Sequence, residues 1–274
     1  MPLAKLFVEG SLEVQIFTPI LLGNPVPQQG GSKDTLRARA GTERRENKVA
    51  AGYLRDRDFD SDPPADLTKP SEERTFFENS GVPFGWRWCR HEIENYLIEP
   101  AIVSEAMSWP IPHIEEALRE AARRIRNYET ARWTVGVVRR ALPPHYELRT
   151  RPDGLNEIDL PPALDPAAVT AWASRSIEDH RGPMVAATAP DSVQASLDTF
   201  AARFDEVFVA DVTSVMLWFP GKDLLAGMSD WLLSRAVPNP GSFRASLRDW
   251  IIANPERSLE LLPEWKAMTE VVRA

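Results

Sequence analysis

The chain has 274 residues, 43% hydrophobic and 26% charged, with a formal net charge of -8 at pH 7. That length gives room for one large domain or two modest ones, and the acidic balance argues against a protein that coats nucleic acid through a general basic surface. No apolar run approaches the ~18 residues of a membrane span, and the single cysteine, Cys89, excludes an internal disulfide and a thiolate metal cluster. The start, "MPLAKLFVEG", has no leader-like pattern, so the expected location is the cytoplasm, with no membrane partner.

In chain order, "AKLFVEG" reads as a short strand closed by Glu9 and Gly10, and "SLEVQIFTPILLG" as a helix with Ser11 as N-cap and Gly23 just past its end. A short strand is expected near Val26, a polar helix over "TLRARAGTERREN" and a strand over "KVAAGYLRD". Residues 61–83 carry four prolines and read as a loop, after which "FGWRWCRHEIENYLI" reads as a fourth strand leading into a helix. Such alternation points to an α/β fold with a parallel sheet. The expected organisation is an α/β core over 1–104, a helical insertion over 105–205, and a return to the core over 206–274. That last segment begins with a strand-like run, "EVFVADVTSVMLWFP", and closes in helices.

The acids at the strand ends carry the chemistry. In a strand, residues i and i+2 share a face, so Asp56 and Asp58 project together if β structure persists that far. Two carboxylates a few ångströms apart repel unless a cation sits between them. Ligands of parallel sheets gather beyond the carboxyl ends of the strands, where both the D-x-D and Glu9 fall. If the two strands are neighbours, Glu9, Asp56 and Asp58 form an all-oxygen site suited to Mg²⁺ or Mn²⁺. Asp60, next in the alternation, is a further candidate ligand, or else a cap for the following turn. A lone D-x-D is more often a solvated turn; the second acidic strand end is what favours a site.

These residues carry a resemblance. "LFVEGSLE", then "GYLRDRDFD", then "RHEIENYLIEP" resemble the Toprim arrangement of topoisomerases, DnaG-type primases and OLD-family nucleases. With the late "GKD", the chain more closely resembles the family of uncharacterised domains labelled DUF4435. The resemblance implies a Toprim-like core with a helical elaboration and a metal-dependent nuclease acting on DNA or tRNA. It further implies an anti-phage effector held latent by an ABC-type ATPase partner; the chain has no Walker A loop of its own. Carried over, Glu9 is a metal ligand or general acid/base, Asp56 and Asp58 are metal ligands, and Glu94 is a further acidic ligand. Glu13 stands where that family's pattern has Asp. Lys222, following Gly221 at the end of the expected late strand, is the candidate cation for phosphate charge. His91 and Arg90, beside the acidic helix, and Lys33, in the basic stretch from 33 to 48, are candidates to meet nucleic acid; a homo-oligomer is compatible with all of this.

Two other readings compete. A non-catalytic Toprim-like adaptor or sensor would keep the fold, and the Glu13 departure favours it, whereas intact Glu9, Asp56 and Asp58 speak against it. A haloacid-dehalogenase-type phosphatase also places D-x-D after a strand, with the first Asp as nucleophile. Here, however, the motif lies on the third strand of the chain and Asp60 replaces the usual Thr or Val.

Overall fold

The computed structural model describes residues 2–73, 84–143 and 165–274. Strands β1 (Lys5–Val8), β2 (Val26–Gln29) and β3 (Ala51–Arg55) alternate with helices α1 (Ser11–Leu21) and α2 (Lys33–Arg45), close to the sequence expectation. With β4 (Ser71–Glu72) and β5 (Gly85–Arg87) they form one sheet in the order β2-β1-β3-β5-β4. β1 is parallel to β2 and β3, and β3 to β5; only the two-residue edge strand β4 is antiparallel. β3 is buried along its whole length, as a central parallel strand covered on both faces must be.

Leu36 and Ala40 of α2 close over Phe7, Ala51, Tyr53 and Phe84. A second cluster gathers Phe17 of α1, Trp88, Tyr96 and Trp265, with ring centroids 5.2–5.7 Å apart between Phe17 and Trp88, Phe17 and Trp265, and Trp88 and Tyr96. Burying aromatic rings of this size stabilises the fold by on the order of 2–3 kcal/mol each. Trp86, Trp88 and Tyr96 are all buried.

Beyond the sheet the described residues are mainly helical: α3 (Glu94–Leu97), α4 (Pro100–Met107), α5 (Ile111–Ala141), α6 (Pro166–Thr188), α7 (Pro190–Arg203), α8 (Glu206–Ala210), α9 (Val212–Trp218), α10 (Gly221–Gly227), α11 (Ser229–Ser234), α12 (Pro240–Ala253), α13 (Pro255–Leu261) and α14 (Pro263–Arg273). The strand expected to begin the last segment is therefore two helices, α8 and α9. Asp205 and Asp211 cap them, their side chains accepting the Phe208 and Thr213 N–H groups. These caps settle a run whose Val and Phe content suits strand and helix equally.

Two compact units are present, one made of Met1–Arg126 with Asp205–Ala274, the other of Asn127–Phe204. The division falls inside α5 rather than at residue 105, because Ile114, Leu118 and Ala121 are buried in the first unit and Arg124 pairs with Asp230. In the second unit Trp133 packs on Phe200, centroids 5.6 Å apart. Arg119, Arg123 and Arg126 are paired with Glu115, Glu116, Glu120 and Glu206, so with Arg124 on Asp230 this basic stretch is a solvated, ion-paired helix face. Among the described residues no helix is long and apolar enough to cross a membrane.

Candidate metal centre

The parallel pairing of β1 with β3, with Phe7 opposite Tyr53, brings Glu9 and Asp56 off the sheet side by side. The Asp56 N–H donates to Glu9 Oε1 at 3.2 Å. Gly10 then caps α1 with ordinary extended backbone (φ -121°), so its use is space rather than a turn. A Cβ at Gly10 would lie 2.9 Å from Oε2 of Glu13, whose buried carboxylate occupies that space in the first turn of α1.

β3 stops at Arg55 and the chain turns at Asp58, whose φ is +49°, a left-handed conformation that Asp tolerates better than most residues. Between the two acids, fully buried Arg57 donates to the carbonyls of Cys89 (2.9 Å), Ser61 (2.6 Å) and Leu217 (2.6 Å). The backbone N–H groups of Arg57 and Asp58 both donate to the His91 carbonyl, at 3.0 and 2.9 Å. This clamp carries Glu92, the next residue, to the D-x-D. Carboxylate oxygens of Asp56, Asp58 and Glu92 lie within 4.8 Å of one another.

Glu92 is the residue that sequence reasoning passed over in favour of Glu94. Its Oε1 accepts the Lys222 backbone N–H at 2.6 Å and its Oε2 accepts Lys222 Nζ at 2.8 Å. Behind this pair, fully buried Asn95 fixes the approach of α10. Its Oδ1 accepts the N–H groups of Glu92 (3.1 Å) and Gly221 (3.0 Å), and its Nδ2 donates to the carbonyls of Met216 (2.9 Å) and Phe219 (2.8 Å). Gly221 permits the contact, since a Cβ there would fall 2.4 Å from the Asn95 nitrogen and 2.6 Å from the Glu94 carbonyl carbon. Lys222 thus reaches the acids from the start of a helix, not from the strand end expected.

The acids press on one another. Burial, then the Asp58 carboxylate, pushes the Glu9 carboxyl up to about 7, against the opposing Asp56 hydrogen bond. Burial, then Glu13, Glu9, Glu92 and Asp58, holds Asp56 well above the usual carboxylate range. Glu13 is raised mainly by burial, with Glu94 adding to it, and Glu92 by burial against the pull of Lys222. Burial lowers Lys222, but the Glu92 and Glu94 carboxylates outweigh it and keep the ammonium charged. Asp56 is only 7% exposed, and its Oδ1 has no hydrogen-bond partner among the described residues.

Other candidates are committed elsewhere. Asp60 lies past the turn at Asp58 and accepts from Lys33 Nζ (2.6 Å) and Arg55 Nη1 (2.7 Å), which takes both Asp60 and Lys33 out of the cluster. Glu94 is held by Arg244 at 3.0 Å and lies 3.4 Å from Lys222 Nζ. Arg90 lies over the Tyr96 ring and pairs with Glu99 at 2.5 Å; His91 is buried against Phe59, centroids 4.4 Å apart. His91 is buried out of a polynucleotide's reach, whereas Arg90 is ion-paired but partly exposed. A cavity of about 320 Å³, lined by Cys89, Arg90, Tyr96, Leu217, Leu262 and Glu264 among others, has none of the clustered acids in its wall.

No protein-family model matches the chain, and no curated protein matches it. The donor set fits a hard divalent cation: all-oxygen ligands, more negative charge than Lys222 alone offsets, and a buried carboxylate oxygen lacking a partner.

Proposed function

We propose that the chain is a Toprim-like, Mg²⁺- or Mn²⁺-dependent nuclease that hydrolyses phosphodiester bonds of DNA or tRNA. On this reading it acts in the cytoplasm as the effector of a bacterial anti-phage system gated by an ABC-type ATPase partner. The observation that carries the enzymatic part is the clustering of Asp56, Asp58 and Glu92 carboxylate oxygens within 4.8 Å, with one buried oxygen of Asp56, Oδ1, lacking a hydrogen-bond partner among the described residues. An ionised carboxylate taken from water without a partner is costly, and a divalent ion supplies the missing partner. The sequence resemblance supplies the reaction class and the partner.

Asp56, Asp58 and Glu92 would hold the ion, with Glu9 beside them. A divalent ion held there supplies Lewis-acid polarisation of a phosphoryl oxygen and activation of water. Glu9, whose carboxyl is raised in the metal-free protein by burial and by Asp58, would be favoured as the carboxylate by a divalent ion beside it, the form able to accept a proton from water. Lys222, 56% exposed at its side chain, has an ammonium able to offset charge building on the phosphate. Asn95 and Gly221 act through position, by setting where Lys222 and Glu92 meet.

A second reading, the non-catalytic subunit, has one observation in its favour. The Lys222 ammonium already sits on Glu92 as an internal counter-ion, which would help such a site stand without metal. Incubating the protein with plasmid DNA, single-stranded DNA, bulk tRNA and a phosphate monoester, with Mn²⁺ or Mg²⁺, separates the readings when run beside Asp58→Asn. Polynucleotide cleavage lost in Asp58→Asn supports the nuclease. Turnover of the monoester alone points to a phosphatase, and silence on every substrate with the ATPase partner present points to the subunit.

A further inference from the structure

Lys222 engages both oxygens of Glu92, and the two attachments differ. The backbone N–H is neutral and fixed by the packing of Gly221 against Asn95; the ammonium ends a flexible stem that is 56% exposed. Oε2 of Glu92 is therefore claimed by one cation in a group of acids suited to another. Two cations on one carboxylate oxygen repel, and the one on the mobile stem yields. Glu94 offers the ammonium a second acid: its Oε1 holds Arg244 at 3.0 Å, while its Oε2, buried and without a hydrogen-bond partner among the described residues, lies 3.4 Å from Lys222 Nζ. A displaced ammonium thus keeps only the longer contact to Glu94 Oε2, and its exposed stem leaves it within reach of an incoming anion.

We propose that Lys222 is a latch: its ammonium occupies Glu92 in the metal-free protein, metal loading displaces it, and the freed cation then binds the substrate's phosphate. The inference rests on the metal-centre reading and adds an order to it, metal before substrate. It makes Lys222 a competitor of the metal, which a merely structural lysine would not be.

The test is calorimetric titration of Mn²⁺ into the wild type, Asp58→Asn, Lys222→Met and Lys222→Arg at pH 7.5. Loss of the competing charge-assisted pair is expected to tighten Mn²⁺ binding roughly tenfold in Lys222→Met, with Lys222→Arg close to wild type. Unchanged or weaker binding in a folded Lys222→Met overturns the latch while leaving the metal centre standing. If the wild type binds no Mn²⁺ that Asp58→Asn abolishes, the metal centre fails and the latch with it. A measurement on the wild type alone guards against a variant that does not fold: reductive methylation of Lys222, read by mass spectrometry with and without Mg²⁺. The latch requires Lys222 to become several-fold more reactive on loading; equal reactivity refutes it.

Discussion

Replacing Asn95 with Ala probes the scaffold that holds Glu92 and Lys222 together. Asn95 is fully buried and makes four hydrogen bonds of 2.8–3.1 Å, accepting from Glu92 and Gly221 and donating to Met216 and Phe219. Alanine leaves two N–H groups and two carbonyls unpaired in a dry environment, at about 1 kcal/mol each, for a total of about 4 kcal/mol. For a unit of about 200 residues that is a fall in melting temperature of roughly 8–16 °C. Urea and thermal unfolding followed by circular dichroism measure it. A loss below about 1 kcal/mol would refute the reasoning, because it would mean water replaces the amide without cost. The variant is also expected to weaken Mn²⁺ binding, since Glu92 loses the hydrogen bond that fixes its backbone.

Two further outcomes follow from the same geometry. Glu9 has its carboxyl raised to about 7 from an ordinary 4.5, so at intermediate pH the folded protein holds a proton that the unfolded chain releases. Metal-free stability is therefore expected to fall as pH rises from about 4.5 to about 7, and Mn²⁺ is expected to flatten that slope; thermal melts in chelator and in Mn²⁺ across this range check both. Asp60→Asn is expected to cost about 1 kcal/mol through loss of the Lys33 and Arg55 pairs, while leaving Mn²⁺ affinity within twofold by calorimetry, because Asp60 stands outside the cluster.

The first three strands and two helices were legible because short apolar runs, turn residues and polar helical stretches all agreed there. The acids at the ends of β1 and β3 were legible for the same reason, and the sheet order makes those strands neighbours. Alternation then misled at Asp60: period-2 reasoning assumes a continuing strand, whereas the strand ends at Arg55 and Asp58 turns left-handed. Glu92 was missed because it precedes α3, where no helical phase applies, and it is brought in by tertiary contacts: the His91 carbonyl clamp on the D-x-D loop and the hold of Asn95 and Lys222. The run before Lys222 looked like a strand because Val and Phe serve both states. The deciding signals were local, Asp205 and Asp211 at the starts of two short helices. Asn95 and Arg57 were illegible as supports, since three of the four Asn95 partners lie 121–126 residues away and one Arg57 partner lies 160 away.

Locating Mn²⁺ by anomalous diffraction from crystals grown with the ion tests the metal centre most directly. The account requires a peak bounded by Asp56, Asp58 and Glu92, absent in Asp58→Asn. A wild-type map without that peak at millimolar Mn²⁺, or with the ion bound only elsewhere, contradicts it.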